Sequence, residues 1–187
     1  VHDHDLERVF GMDAQIAEHD FESLKSLCPS VPSLQQVVER FGNKMHLMIE
    51  VKHEPYPNSE QQNTILEAIL SNLIPGQDYH LISLDPEMLE LIECVPDHAK
   101  MPVAELNVGK LSEIALEKNY AGVLGHYFLL NGRLVQKHLE AGQKVGTGYP
   151  DSRNCMSREL NRGVNWLFSN DAGGLEQIRK AMLAEDG

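Results

Sequence analysis

The chain has 187 residues, of which 42% are apolar, enough for a sizeable core in one domain and too many for disorder. Sixteen basic residues against 28 acidic ones leave a formal charge of −12, which repels a phosphate backbone, so no nucleic-acid partner is expected. No apolar run reaches the roughly 18 residues of a membrane span, and the first 30 positions lack a basic start with an apolar stretch behind it, so no spanning or secretory segment is expected.

The first stretch, "VHDHDLERVF", packs two histidines and three acids into seven residues. Two helical patterns follow, "DFESLKSL" and "SLQQVVERFG", joined by "CPSVPS". From Met45 onward short apolar runs alternate with longer amphipathic ones. The predicted strands are "HLMIEVK", "YHLISLD", "KMPVAEL", "AGVLGHY", "QKVGTGY" and "GVNWLFSN", and each leads into a helical pattern. Ser33, Ser59, Asp85 and Asn131 read as helix caps, Pro86 sits just inside a start, and Gly142 and Gly163 close two helices.

Strands alternating with helices over short connections imply parallel βα units, because only a crossover helix returns the chain parallel to its own strand. No glycine-rich phosphate loop follows any strand, and "GTGYP" lacks the third glycine and the helix start of a dinucleotide fingerprint. A (β/α)8 barrel is therefore favoured over an open doubly wound sheet. Such a barrel needs eight strands and about 250 residues, so the expected fold is a single barrel domain over residues 1–187 with the first two strands and first helix lying before Val1. An open barrel exposes two strand edges, and these are the expected route to any homo-oligomer. The cysteines Cys28, Cys94 and Cys155 have no metal or redox spacing and read as reduced thiols, which suits the cytoplasm.

Most of the chemistry is expected on "MHLMIEVKHEP". Strand alternation puts Leu47, Ile49 and Val51 on one face and Met48, Glu50 and Lys52 on the other. An acid and a base then share one face at the carboxyl end of a barrel strand, where barrel active sites are built. An ordinary buried ion pair is the bland alternative.

With "VHDHDLERV", "VPSLQQVVERF", "LMIEVK", "LISLDPEMLELI", "LEAGQKV" and "RGVNWLFSND" in this order, the chain resembles the glycerophosphodiester phosphodiesterase family over nearly all its length. The resemblance implies a (β/α)8 barrel that hydrolyses glycerophosphodiesters to an alcohol and glycerol 3-phosphate, in lipid and glycerol metabolism, with a divalent cation, Mg²⁺ or Ca²⁺. Carried over residue by residue, it implies His2 as a catalytic histidine, Glu50 as a metal carboxylate and Lys52 as the lysine facing the substrate phosphate. In "HDHDLERV", Asp3, Leu6 and Arg8 complete the motif. The family's H-R pair and E-x-D metal pair are absent from the 187 residues, so this chain alone is expected to be inactive. "TGYPDSRN" replaces the family's W-T-x-N, with Gly148 where a tryptophan would sit and Tyr149 beside it as a candidate for the pocket wall. Asp171, in the final motif, is expected to be structural.

Two rivals stand beside this reading. His2 and His4 form an H-x-H pair of the kind that opens amidohydrolase metal sites, and a non-catalytic, dimerising barrel fragment would need no site at all. His126, just past a strand, is the one further histidine expected to line a pocket; His19, His53, His80, His98 and His138 are expected to be solvated, and Trp166, alternating with Val164 and Phe168, to be core.

Overall fold

The computed structural model describes residues 2–56 and 58–185. After a short helix α1 (Glu7–Phe10), α2 (Phe21–Leu27) and α3 (Leu34–Phe41) precede the first strand, β1 (Leu47–Glu50). The chain then repeats one unit: α4 (Ser59–Leu70), β2 (Tyr79–Ser83), α5 (Pro86–Leu91), β3 (Lys100–Ala104), α6 (Val108–Glu117), β4 (Gly122–His126), α7 (Gly132–Glu140), β5 (Lys144–Gly148), α8 (Arg153–Asn161), β6 (Trp166–Phe168) and α9 (Ala172–Glu185). Every predicted strand and helix is present. The 3-10 turns Ile16–Glu18 and Asp97–Ala99, and α1 itself, are too short to carry a periodic signal.

Local chemistry sets the helix starts. The Ser33 hydroxyl accepts from the Gln36 amide N–H while the Gln36 side chain accepts from the Ser33 N–H, a complete capping box. Asp85 and Asn131 cap α5 and α7 as expected. Ser59 does not cap α4. The cap is Asn58, whose left-handed backbone (φ 54°) suits asparagine and whose side chain accepts from the Gln61 N–H.

All five strand pairings are parallel and follow chain order, β1 to β6. The sheet is strongly curled. Five gaps of about 4.8 Å would place β1 and β6 roughly 24 Å apart if it were flat, yet the ring of His46, one residue before β1, stacks on Trp166 of β6 with centroids 5.6 Å apart. Six parallel strands curl here into the greater part of a barrel wall.

Alternation along each strand divides the core into two layers. The outward layer joins the strands to the helices: Leu81, Val123 and Val145 pack with Leu89, Leu111 and Val135, and Leu47, Ile49 and Val51 of the first strand lie against the same cluster. A smaller cluster of Leu6, Leu24, Cys28 and Val31 holds the N-terminal segment together. The inward layer is closed at the amino ends of the strands by His46, His80, Lys144 and Trp166. His46 Nδ1 lies 2.7 Å from the Gln77 carbonyl oxygen, so it donates, and its Nε2 accepts from His80 Nδ1 at 2.8 Å. Trp166 meets the edge of His80, and the Lys144 ammonium sits 4.9 Å from the indole.

Two histidines expected in solvent are thereby corrected. His80 is fully buried, and burial, reinforced by His46, Lys144 and His98, pulls its pKa down to about 3. His138 is fully buried between α6 and α7, bonded to Ser112 and Gln143, and burial lowers its pKa as well. Trp166 packs against His46 and His80 in the barrel interior, away from the cavity lining, as expected of a core residue; Val164 does not share its face and belongs to the strand–helix layer.

Candidate active site

At the carboxyl ends of the strands lies a cavity of about 530 Å³ whose lining includes His2, Glu50, His126, Tyr149 and Phe168, within the usual size range of a small-molecule site. Glu50 arrives as the last residue of β1, and Lys52 follows on the same face two residues on. Their side chains meet, with Lys52 Nζ 2.7 Å from Glu50 Oε1, each about a quarter exposed (28% and 26%). The lysine is part of the site through this pair rather than as a wall of the cavity. So placed, the pair is poised for exchange: an incoming anion can draw the ammonium away from Glu50 at a small net cost, since half-screened pairs are worth about 0–1 kcal/mol.

His2 reaches the cavity from a loop that the rest of its motif organises. Arg8 clamps Asp3 with two bonds, Nε to Oδ2 at 2.6 Å and a terminal amine to Oδ1 at 3.1 Å. Together with His2, this guanidinium holds the Asp3 carboxyl at about 2. An ionised carboxylate only accepts, so the 2.9 Å contact between His2 Nδ1 and Asp3 Oδ1 makes Nδ1 the donor. Nε2 is then the imidazole's free nitrogen, in the same orienting logic as a base held by a buried acid. Leu6, fully buried in the small N-terminal cluster, anchors the loop. Each fixed position of "HDHDLERV" thus has a physical task.

His126 ends β4 and lies in the wall. Its Nδ1 accepts the Phe128 backbone N–H at 3.2 Å, so the neutral ring carries its proton on Nε2 and can donate a hydrogen bond. Tyr149 stands 6.0 Å away, ring to ring, in a left-handed backbone (φ 67°) that costs a non-glycine residue about 1–3 kcal/mol. Its N–H donates to Phe168 O at 2.9 Å, which ties the strained turn to β6. Around them, His53 Nδ1 bonds Asp85 Oδ2 at 2.5 Å and lowers that carboxyl's pKa, joining the loop after β1 to the start of α5. Asp171 Oδ1 accepts from the Gly174 N–H in the first turn of α9, a capping role.

The cation that the resemblance implies finds only part of a ligand set in this geometry. Among the described residues no three His, Cys, Asp or Glu side chains come together as a ligand set, and one oxygen of Glu50 is already held by Lys52. A hard cation takes about six oxygens or more, so these residues do not make a cation site by themselves. The amidohydrolase alternative fares no better: His2 and His4 lie outside any strand and take different partners, Asp3 and Glu54.

No family model and no curated protein sequence matches the chain. Solved structures do match in fold. Glycerophosphodiester phosphodiesterase from Thermotoga maritima superposes with a TM-score of 0.72 at 17% identity, covering 97% of this chain and 77% of that one. A phosphodiesterase from Oleispira antarctica, in complex with the product sn-glycerol-3-phosphate, gives 0.73 at 19% identity, covering 97% of this chain and 78% of that one. A glycerophosphodiester phosphodiesterase from Parabacteroides distasonis gives 0.65 at 17%, over 83% and 66%. The fold is that of these (β/α)8 barrels, here represented by six consecutive strands. No helix of the described residues is long and apolar enough to cross a membrane.

Proposed function

We propose that the cavity is a glycerophosphodiester site of the phosphodiesterase type, and that these 187 residues supply its phosphate lysine, its leaving-group acid and one carboxylate. The observation that carries this reading is the meeting, at one mouth of the barrel, of the Lys52–Glu50 pair with an Asp3-oriented histidine. Likeness in fold to a phosphodiesterase solved with sn-glycerol-3-phosphate supports it.

In this reading Lys52 leaves Glu50 for a non-bridging phosphate oxygen and offsets its charge. As a water oxygen attacks phosphorus and the bond from phosphorus to the alcohol oxygen breaks, the imidazolium form of His2, protonated on Nε2 as well as on the Asp3-bound Nδ1, gives its Nε2 proton to the departing oxygen; the water's proton leaves to solvent, and Asp3 holds the ring's orientation throughout. The His126 Nε2–H is a neutral donor on the far wall. A divalent cation would supply further charge neutralisation in enzymes of this type, but Glu50 is one ligand of the several needed, so no step here runs through a metal. For the same reason binding is expected ahead of turnover in this chain.

Calorimetric titration with glycerol 3-phosphate and glycerophosphocholine tests the proposal. Both should bind, and Lys52→Met should weaken each by about tenfold or more, the loss of one charge-assisted contact of about 1.5–3 kcal/mol. No binding of either ligand would sink the reading. Release of glycerol 3-phosphate by the 187-residue chain at a rate typical of enzymes, about 1 s⁻¹ or faster, would overturn the expectation of binding without turnover.

A further inference from the structure

Among the described residues, the closed end of the barrel holds a buried acceptor without a donor. His46 Nδ1 donates to the Gln77 carbonyl oxygen, so His46 Nε2 accepts from His80 Nδ1, and the lone pair of the neutral His80 ring is left on Nε2. With its pKa pulled down to about 3, His80 stays neutral at ordinary pH, and Nε2 can only accept. Yet this fully buried nitrogen has no hydrogen-bond partner among the described residues. A buried polar atom left unpaired is costly, and it points to a donor that belongs there.

His80 belongs to the wall of a second cavity, of about 270 Å³, at the amino ends of β2, β4 and β5. Several waters would fit it, at about 30 Å³ each. Lys144, the first residue of β5, is half-buried in the same wall and pairs with no carboxylate among the described residues. Its ammonium carries three donors. One reaches the Gly76 carbonyl oxygen at 3.3 Å, and the charge lies 4.9 Å from the Trp166 ring centroid, which leaves a donor for a further partner. The exposed His98 imidazole lies against the same Gly76, where a Cβ would come within 3.2 Å of His98 Cδ2. Asn119, held in a left-handed backbone (φ 55°) after α6, adds a side-chain amide. Helix carbonyls that would repel an anion here are already taken: Ala115 O accepts from the Tyr120 N–H and from Gln143 Nε2, and Lys137 O from the Ala141 N–H.

We propose that this cavity is a binding site for hydrogen phosphate, with the anion's oxygens on Lys144, His98 and Asn119 and its P–OH donating to His80 Nε2. An oxyanion stripped of every proton offers lone pairs alone and meets the His80 lone pair with repulsion. Hydrogen phosphate keeps one proton at neutral pH and satisfies the acceptor and the donors together. Sulfate has no such proton, and a phosphate monoester, with a second pKa of about 6, has lost it. In a chain of net charge −12, an anion is held only where a local group of donors outweighs the general repulsion. The site shares no lining residue with the cavity at the carboxyl ends, so it stands apart from the phosphodiester reading.

Trp166 is the one tryptophan of the chain and lies beside Lys144, outside the lining of the other cavity, so its fluorescence reports on this end of the barrel. Titration of the 187-residue chain with inorganic phosphate, at about pH 7.5 where a monoester is a dianion and at constant ionic strength, is expected to give a saturable change in that fluorescence. Phosphate should also raise Tm, as a ligand of the folded state does. Sulfate and methyl phosphate should bind about tenfold more weakly, the loss of one hydrogen bond to a charged group. Lys144→Gln should weaken phosphate by about tenfold or more, and His98→Ala, at an exposed position that leaves the core untouched, should weaken it by a smaller factor. His80→Phe keeps a ring in place without the acceptor and should abolish the preference over sulfate. No saturable response to phosphate, the result if water alone fills the cavity, would overturn the site. Sulfate binding as tightly as phosphate would overturn the hydrogen-phosphate assignment in favour of an unselective anion site. Phosphate binding that survives both Lys144→Gln and His98→Ala, or that is lost in Lys52→Met, would place the anion elsewhere and overturn the proposal.

Discussion

The two ends of the curled sheet are built from the same strands, and their interiors differ in kind. At the amino ends, His46, His80, Lys144 and Trp166 pack on one another through one hydrogen bond, ring stacking and a cation over an indole and close the barrel, with the buried His80 Nε2 left without a hydrogen-bond partner among the described residues. At the carboxyl ends, interior positions of the same strands carry Glu50, Ile82, His126 and Gly148, and the barrel opens into a cavity. Along β5 the change takes two steps, from Lys144 through a packed Gly146 to an uncrowded Gly148. The closed end shows how a barrel with titratable groups inside is stabilised. The open end shows where side chains are withheld from packing and kept for a ligand, as expected for the carboxyl face of a βα barrel.

If that division is right, breaking the closed end should cost stability without touching ligand binding at the open one. Trp166→Ala removes the stack on His46 and His80 and is expected to destabilise by about 3 kcal/mol, the low end of aromatic truncations. For a chain of this length that lowers Tm by about 6–12 °C. Glycerol 3-phosphate affinity should stay within twofold, and a large loss would mean the two ends are not separable.

Acid sharpens the comparison next. His80 is held near a pKa of about 3 when folded, against about 6.5 in an unfolded chain. The unfolded state therefore binds more protons between these values, so the stability contributed by a neutral His80 is complete above about pH 6.5 and is lost as pH falls towards 3. Urea midpoints should drop with acidification in that window, at up to about 1.4 kcal/mol per pH unit. His80→Gln should flatten the dependence; an unchanged slope would show that His80 is not its source.

The open end should behave in the opposite way. Lys52→Met should remove ligand affinity about tenfold while moving stability by no more than about 1 kcal/mol, because the Glu50 partner is partly solvated. The smallest effect is expected at the His2 loop. In Arg8→Ala the Asp3 carboxyl should titrate near the ordinary carboxylate value of about 3.9 rather than at about 2. The Asp3 carboxyl carbon resonance, followed through an NMR pH titration, checks this directly, and a midpoint unmoved by the substitution would discard the clamp. In linkage terms the depressed Asp3 contributes above about pH 3.9 and loses that contribution as pH falls through about 2.

Much of this architecture was legible in the chain because it depends on neighbours in sequence. Period-two alternation in "HLMIEVK" put Glu50 and Lys52 on one face, and they are ion-paired. The order of strands and helices followed from apolar periodicity alone, and the capping of α3, α5 and α7 from single polar residues before each. The family resemblance of "HDHDLERV", rather than any local pattern, pointed to His2, and the cavity brings His2, Glu50, His126 and Tyr149 together. The misreadings have one common character. His80 and His138 look alike in sequence to the solvated His53, and only the assembled sheet and helices bury them. A period-two reading that ran from His46 and His80 towards Glu50 and Ile82 would have flagged both as interior.

The sequence by itself determined which segments are strands and helices, that Glu50 and Lys52 share one face of the first strand, and which polar residues begin α3, α5 and α7. Those are consequences of backbone geometry over a few residues and of hydrogen bonds a few positions apart. Only the tertiary structure decided that the sheet curls until His46 meets Trp166, that His80 is sealed in and neutral, and that Gly148 faces the cavity while Gly146 faces a packed wall. These depend on how far the strands wrap around one another, and wrapping sets side-chain surroundings through contacts between residues far apart in the chain, which no local pattern encodes.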